Sequence, residues 1–89
     1  MPELNIAKEM VRPDVCLLSV TGFLDAHTFE QMDELIQQLF DDGVYKIACE
    51  LGGLEYISSA GAGVFIGALA IAQENAGNIV LFNATENVQ

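Results

Sequence analysis

Two stretches of helical periodicity, set between strand-like apolar runs, leave this chain few folds to adopt. Between the apolar runs at residues 15–21 and 45–51, Phe29, Met32, Leu35, Ile36, Leu39 and Phe40 recur at helical spacing. Glu30, Asp33, Glu34, Gln37 and Gln38 lie mostly opposite them. A helix with one apolar stripe has to bury that stripe against another element. The second stretch, residues 60–72, is apolar around most of its girth, holds three glycines and is flanked by turn residues. That pattern reads as a buried helix. Gly63 and Gly67 are four apart on one of its faces, a spacing that would let another backbone come close.

The remaining segments complete the order. Residues 4–11 alternate imperfectly, with Leu4, Ile6 and Met10 on one face and Lys8 interrupting. Arg12, Pro13 and Asp14 form a turn, because proline presets its backbone and aspartate closes the turn with its side chain. Residues 15–21 pair back as the second strand of a hairpin, and Gly22 ends that strand. The first helix begins near residues 25–28, where Thr28 with Gln31 fits a capping box. It stops at Asp41 and Asp42, with Gly43 in the position just past the end. The third strand covers residues 45–51, and Gly52 and Gly53 open a loop. The second helix spans residues 59–75, the last strand residues 78–83, and residues 84–89 are mostly polar. The order β-β-α-β-α-β predicts an α/β (α+β) chain: a mixed sheet with its helices covering one face.

Size and charge narrow the function. With 89 residues, 52% of them hydrophobic, the chain has one core and one domain, residues 1–89. No run of about 18 uninterrupted apolar residues exists to cross a bilayer. The N-terminus lacks a secretory pattern, so a cytoplasmic location is expected. Thirteen acidic residues against three basic ones give a net charge of -10. Such a surface repels nucleic-acid phosphates and anionic membranes, and suits either docking onto a basic patch or simple solubility. Cys16 and Cys49 lie inside apolar runs and read as buried, reduced thiols. His27 has no spaced Cys or His partners, so no metal site is expected, and no cofactor-binding pattern is present.

Catalytic patterns fail on spacing. Gly61, Gly63 and Gly67 do not form the dinucleotide fingerprint, and they fall inside a helix instead of in the turn before it. Ser59 and Gly61 resemble half of a nucleophile elbow, but Ile57 stands where that motif needs glycine. The only imidazole lies upstream. The chain carries no convincing catalytic set and is read as a non-enzyme. Asp25, at the start of the first helix, reads as a cap before it reads as a functional carboxylate. Ser58 and Ser59 stand where the second helix begins. A helix entrance exposes unpaired N–H groups and the positive end of the peptide dipoles. It can hold a serine hydroxyl as a cap, or a phosphate on that hydroxyl. Judged alone, the pair reads as a cap.

Residues 21–28 (Thr, Gly, Phe, Leu, Asp, Ala, His, Thr) followed by a helix resemble the second-strand exit of STAS domains, the family of bacterial anti-sigma factor antagonists. Residues 54–65, with their Ser-Ser-Ala-Gly core, resemble that family's phosphorylation loop and following helix. The resemblance implies that Ser59 is the acceptor of a partner kinase, with Ser58 the second candidate. Ser58 replaces a frequent aspartate of the family and so removes a negative charge beside the acceptor. The implied partner-binding residues are Asp25, Ser58, Ser59, Ala60, Gly61, Ala62 and Gly63. The implied partners are an anti-sigma factor serine kinase and a metal-dependent serine phosphatase, and a homodimer stays open. The family's C-terminal helix is expected to be missing or truncated here. A scaffold or transport-associated module without a phospho-switch is the competing expectation.

Overall fold

The computed structural model describes residues 3–84. It arranges β1 (Leu4–Arg12), β2 (Val15–Leu24), α1 (Phe29–Asp41), β3 (Lys46–Ile57), α2 (Ser59–Glu74) and β4 (Asn78–Phe82) in that order. The four strands form one sheet in the order β1-β2-β3-β4. β1 and β2 are an antiparallel hairpin; β3 and β4 are each parallel to the strand before them in the sheet. The expected mixed sheet is therefore present. The expected absence of a C-terminal helix falls outside the described residues.

Burial alternates as a half-covered sheet requires. Cys16, Leu18 and Val20 of β2, and Ile47, Cys49 and Leu51 of β3, point to the helices and are buried. Met32, Ile36, Leu39 and Phe40 of α1 close over them, together with Val64, Phe65, Ala68 and Ala72 of α2. The opposite face stays open: Val80 and Phe82 are exposed, and Leu17, Ser19 and Ala48 are half-buried.

The ends of two strands differ from expectation. Gly22 does not end β2, which runs on to Leu24 with Gly22 inside it at φ 97°. A side chain there would run into the Glu3 carbonyl of the adjacent segment leading into β1, so only glycine lets the strand continue. Gly52 and Gly53 likewise lie inside β3, not in a loop. Register shifts between Ser19 and Thr21 and between Gly22 and Phe23 absorb the extra residues of β3. Both strands thus reach the same end of the sheet, where Leu24 pairs with Ile57.

The helix ends follow local chemistry. Gly43, at φ 82°, sits just past α1 as expected. Its N–H donates to the Phe40 carbonyl at 2.9 Å, and that of Val44 to the Leu39 carbonyl at 2.8 Å. The Thr28–Gln31 capping box does not form. Thr28 Oγ1 donates to the Phe23 carbonyl at 2.7 Å, and Gln31 Nε2 reaches back to the Leu4 carbonyl at 2.9 Å. Both side chains tie α1 to the sheet instead of to its own first turn. Nor is α2 buried around its girth. Ile66 is 72% exposed and Ile71 lies at the surface. Among the described residues nothing lies within 4 Å of a β-carbon placed at Gly63 or Gly67, so no described backbone approaches them. The glycine that does permit close approach is Gly61. A β-carbon there would lie 2.7 Å from Leu24 Cγ and 2.8 Å from the Leu24 carbonyl oxygen.

Candidate functional site

The parallel pair β2 and β3 delivers two chain segments to one end of the sheet. β2 exits at Leu24 into a turn containing Asp25, and β3 exits at Ile57 into Ser58. The Ser58 N–H donates to the Leu24 carbonyl at 2.9 Å, so the sheet ladder is carried one residue into the serine segment. Ser58 is extended (φ -93°, ψ 173°) and caps α2. Its Oγ accepts from the Gly61 N–H at 3.2 Å, and its carbonyl accepts from the Ala62 N–H at 2.9 Å. Ser58 is thus committed to the helix entrance.

Ser59 is the first residue of α2, and it is exposed. The two jobs that a serine could do here are divided between neighbours: Ser58 caps, and Ser59 presents a hydroxyl to solvent. Ala60 and Ala62 are half-buried, Gly61 is buried and Gly63 is exposed. By helical spacing Ser59, Ala62, Gly63 and Ile66 share the outward side of the helix. Gly61 points inward against Leu24.

Asp25 does not cap α1. Its Oδ1 accepts from the His27 N–H at 2.9 Å and from Thr28 Oγ1 at 3.3 Å. Its own N–H donates to Thr28 Oγ1 at 3.0 Å. The turn is closed from within, which holds the half-buried Asp25 at the strand end beside the serine segment. Phe23 and Tyr56 pair across β2 and β3 at the same end, with ring centroids 6.2 Å apart. Tyr56 leaves much of its ring exposed.

The charge at this end is one-sided. Glu3, Asp25 and Glu55 belong to it, whereas Arg12 and Lys46 lie at the opposite end of the sheet, in register with Val15. Lys46 is engaged there with Asp14 at 3.2 Å. Among the described residues no group of three or more His, Cys, Asp or Glu side chains could hold a metal. Both cysteines are free and buried. Burial raises the Cys16 thiol and pushes Cys49 up to about 12, so neither is a ready nucleophile.

The sequence reading missed Ile66 as a surface residue. Its cue was available in size rather than polarity. Gly61, Val64, Phe65, Ala68 and Ala72 recur at helical spacing and form the buried stripe. Ile66 is the one large residue off it in the first half of the helix.

The site is thus a serine hydroxyl at a helix entrance, flanked by small residues and carried at one end of a mixed sheet covered on one face. Residues 7–89 match the STAS domain family, and the chain belongs to that family. It is 26% identical over 85 residues to an anti-sigma-B factor antagonist of Staphylococcus epidermidis, covering 96% of this chain and 78% of that one. The corresponding protein of Staphylococcus aureus is 25% identical over 71 residues, covering 80% of this chain and 66% of the relative. Among solved structures, the anti-sigma factor antagonist SpoIIAA in its unphosphorylated form superposes with a TM-score of 0.80. The match is 27% identical and covers 91% of this chain and 74% of that one. The Bacillus cell fate determinant SpoIIAA in its phosphorylated form superposes with a TM-score of 0.79 at 25% identity, covering 92% and 75%.

Proposed function

We propose that this chain is an anti-sigma factor antagonist whose binding face is switched by phosphorylation of Ser59. The observation that carries the reading is the exposed Ser59 at the start of α2, beside a neighbour that already performs the capping. In the unmodified state the face formed by Asp25, Ser58, Ser59, Ala60, Gly61, Ala62 and Gly63 binds an anti-sigma factor that is also a serine kinase. Its small side chains let a partner backbone approach closely, and its acidic surroundings favour a basic partner surface.

The kinase supplies ATP. The Ser59 oxygen forms a bond to the γ-phosphorus, the bond from that phosphorus to the β-phosphate oxygen breaks, and ADP leaves. The hydroxyl proton passes to a base of the kinase. Phosphorylation adds about -1.5 to -2 charge. The domain tolerates it, because the hydroxyl faces water at the positive end of the α2 dipole. In a packed interface already rich in carboxylates the same anion is desolvated and unpaired, at a cost of several kcal/mol. About 4 kcal/mol corresponds to roughly a thousandfold in affinity. The near-equal superposition on both forms of SpoIIAA supports a switch that needs no refolding. A metal-dependent serine phosphatase restores binding by delivering water to the phosphorus and releasing inorganic phosphate.

The test is acceptor mapping. Protein isolated from its native cell is digested and its phosphopeptides are sequenced by mass spectrometry. Phosphate on Ser59, absent from Ser59→Ala, supports the assignment. Equal phosphate stoichiometry in Ser59→Ala contradicts it and moves the acceptor to Ser58.

A further inference from the structure

Thr28 stands at the cap position of α1, yet its side chain makes no bond to the helix it precedes. Threonine in that position ordinarily accepts from an N–H of the first turn. Here the hydroxyl is turned the other way, into the exit of β2. Its oxygen accepts from the Asp25 N–H at 3.0 Å. Its proton goes to the Phe23 carbonyl at 2.7 Å, with Asp25 Oδ1 a longer second acceptor at 3.3 Å.

The result is an aspartate held at nearly every polar atom. The Asp25 carbonyl accepts from the N–H groups of Thr28 at 3.2 Å and Phe29 at 2.9 Å. Oδ1 takes the His27 N–H at 2.9 Å and shares the Thr28 hydroxyl. Thr28 alone supplies an acceptor to the Asp25 N–H, a donor to its carbonyl and a donor to its carboxylate. Among the described residues only Oδ2 accepts no hydrogen bond. That oxygen is not sealed in, because no described side-chain oxygen is both buried and unpaired. The preceding residue fixes where the carboxylate stands: the Leu24 carbonyl holds the Ser58 N–H at 2.9 Å, so the turn and the serine segment share one anchor.

We infer that Thr28 is a positioning residue of the partner-binding face. It acts through Asp25, fixing that carboxylate so that Oδ2 alone is presented to the partner. The inference rests on the role of Asp25 in that face given under the proposed function. An unrestrained surface aspartate has to be ordered when a partner arrives, and that ordering costs affinity. Here the ordering is completed on folding, by a hydroxyl diverted from the helix cap. A cap for α1 alone would explain a threonine at this position, but not a side chain that leaves the helix unbonded.

A double-mutant cycle tests this, read by calorimetric titration against the anti-sigma factor kinase from the same genome. Asp25→Ala and Thr28→Val should each weaken binding about tenfold or more. The double variant should bind within about threefold of Asp25→Ala, because Thr28 then has nothing left to hold. Thr28→Ser keeps the hydroxyl and should bind within about threefold of wild type. Circular dichroism at the titration temperature reports which variants are folded; if Thr28→Val does not fold, Thr28→Ala takes its place in the cycle. A hydroxyl that serves stability alone leaves the affinity of the folded protein unchanged, so Thr28→Val at wild-type affinity overturns the inference. Losses that multiply in the double variant overturn it too, since Thr28 would then act apart from Asp25. Asp25→Ala at wild-type affinity overturns the inference by removing Asp25 from the face, and it is told apart from the other failures by that single variant. The Ser59 assignment is read separately, by phosphopeptide mapping.

Discussion

Gly61→Ala should destabilise the domain, although alanine is the better helix former. The added methyl would lie 2.7 Å from Leu24 Cγ, 2.8 Å from the Leu24 carbonyl oxygen and 3.2 Å from Ile57 Cγ1. Leu24 is fully buried, and its carbonyl already holds the Ser58 N–H at 2.9 Å. Neither the side chain nor the carbonyl can yield without opening the junction between β2 and α2. Overpacking of this kind costs about 1–3 kcal/mol. Straining the Ser58 hydrogen bond adds up to about 1 kcal/mol, and helix propensity returns at most about 1 kcal/mol. The net loss is about 1–3 kcal/mol, which for a domain of this size lowers Tm by roughly 5–20 °C. Gly63→Ala is the matched control: its methyl meets nothing within 4 Å among the described residues, so it should gain about 0.5–1 kcal/mol and melt a few degrees higher. Thermal melts followed by far-ultraviolet circular dichroism read both. A Gly61→Ala protein as stable as wild type would refute the reasoning, because α2 would then not be seated against Leu24.

Other outcomes follow from single contacts. Ser58→Ala removes the α2 cap and should cost about 1 kcal/mol in urea denaturation, while Ser58→Asp, another good cap, should lose little. Thr28→Val strips the hydroxyl that bridges the Phe23 carbonyl and the Asp25 N–H, and should cost about 1–3 kcal/mol. Stability should fall as pH rises above about 9. In the unfolded chain Cys49 ionises near its ordinary value of 9.0, whereas burial in the fold pushes it up to about 12. Between those values the folded state holds the proton that the unfolded state releases, so the native state loses ground with each step upward. Urea midpoints at pH 8 and pH 10 check the sign.

The element order, the faces of α1 and its end at Gly43 were legible because each is set by local periodicity or by one residue's backbone freedom. The site was legible in outline, because two serines before a glycine-rich apolar run place a helix entrance whatever surrounds it. What the sequence hid was tertiary in origin. Gly22, Gly52 and Gly53 read as breakers, yet the neighbouring strands and register shifts carry the ladder through them. Thr28 and Gln31 fit a local box, but the free carbonyls of Phe23 and Leu4 outcompeted it. Asp25 sits beside the serine segment through the Leu24–Ser58 bond, a contact between residues 34 positions apart that no local pattern encodes. The small residues of α2 looked alike in sequence. Only packing separates Gly61, pressed on Leu24, from Gly63 and Gly67, which no described backbone approaches.

The central claim is that one added anion at Ser59 removes a partner without disturbing the domain. Phosphoserine placed site-specifically at position 59 tests it, with calorimetric titration against the anti-sigma factor kinase from the same genome and a thermal melt of the same sample. The account predicts binding weakened about a thousandfold and a Tm within about 5 °C of the unmodified chain. Phosphorylated protein that binds within a few-fold of the unmodified form, or that loses binding only because it has unfolded, would contradict it.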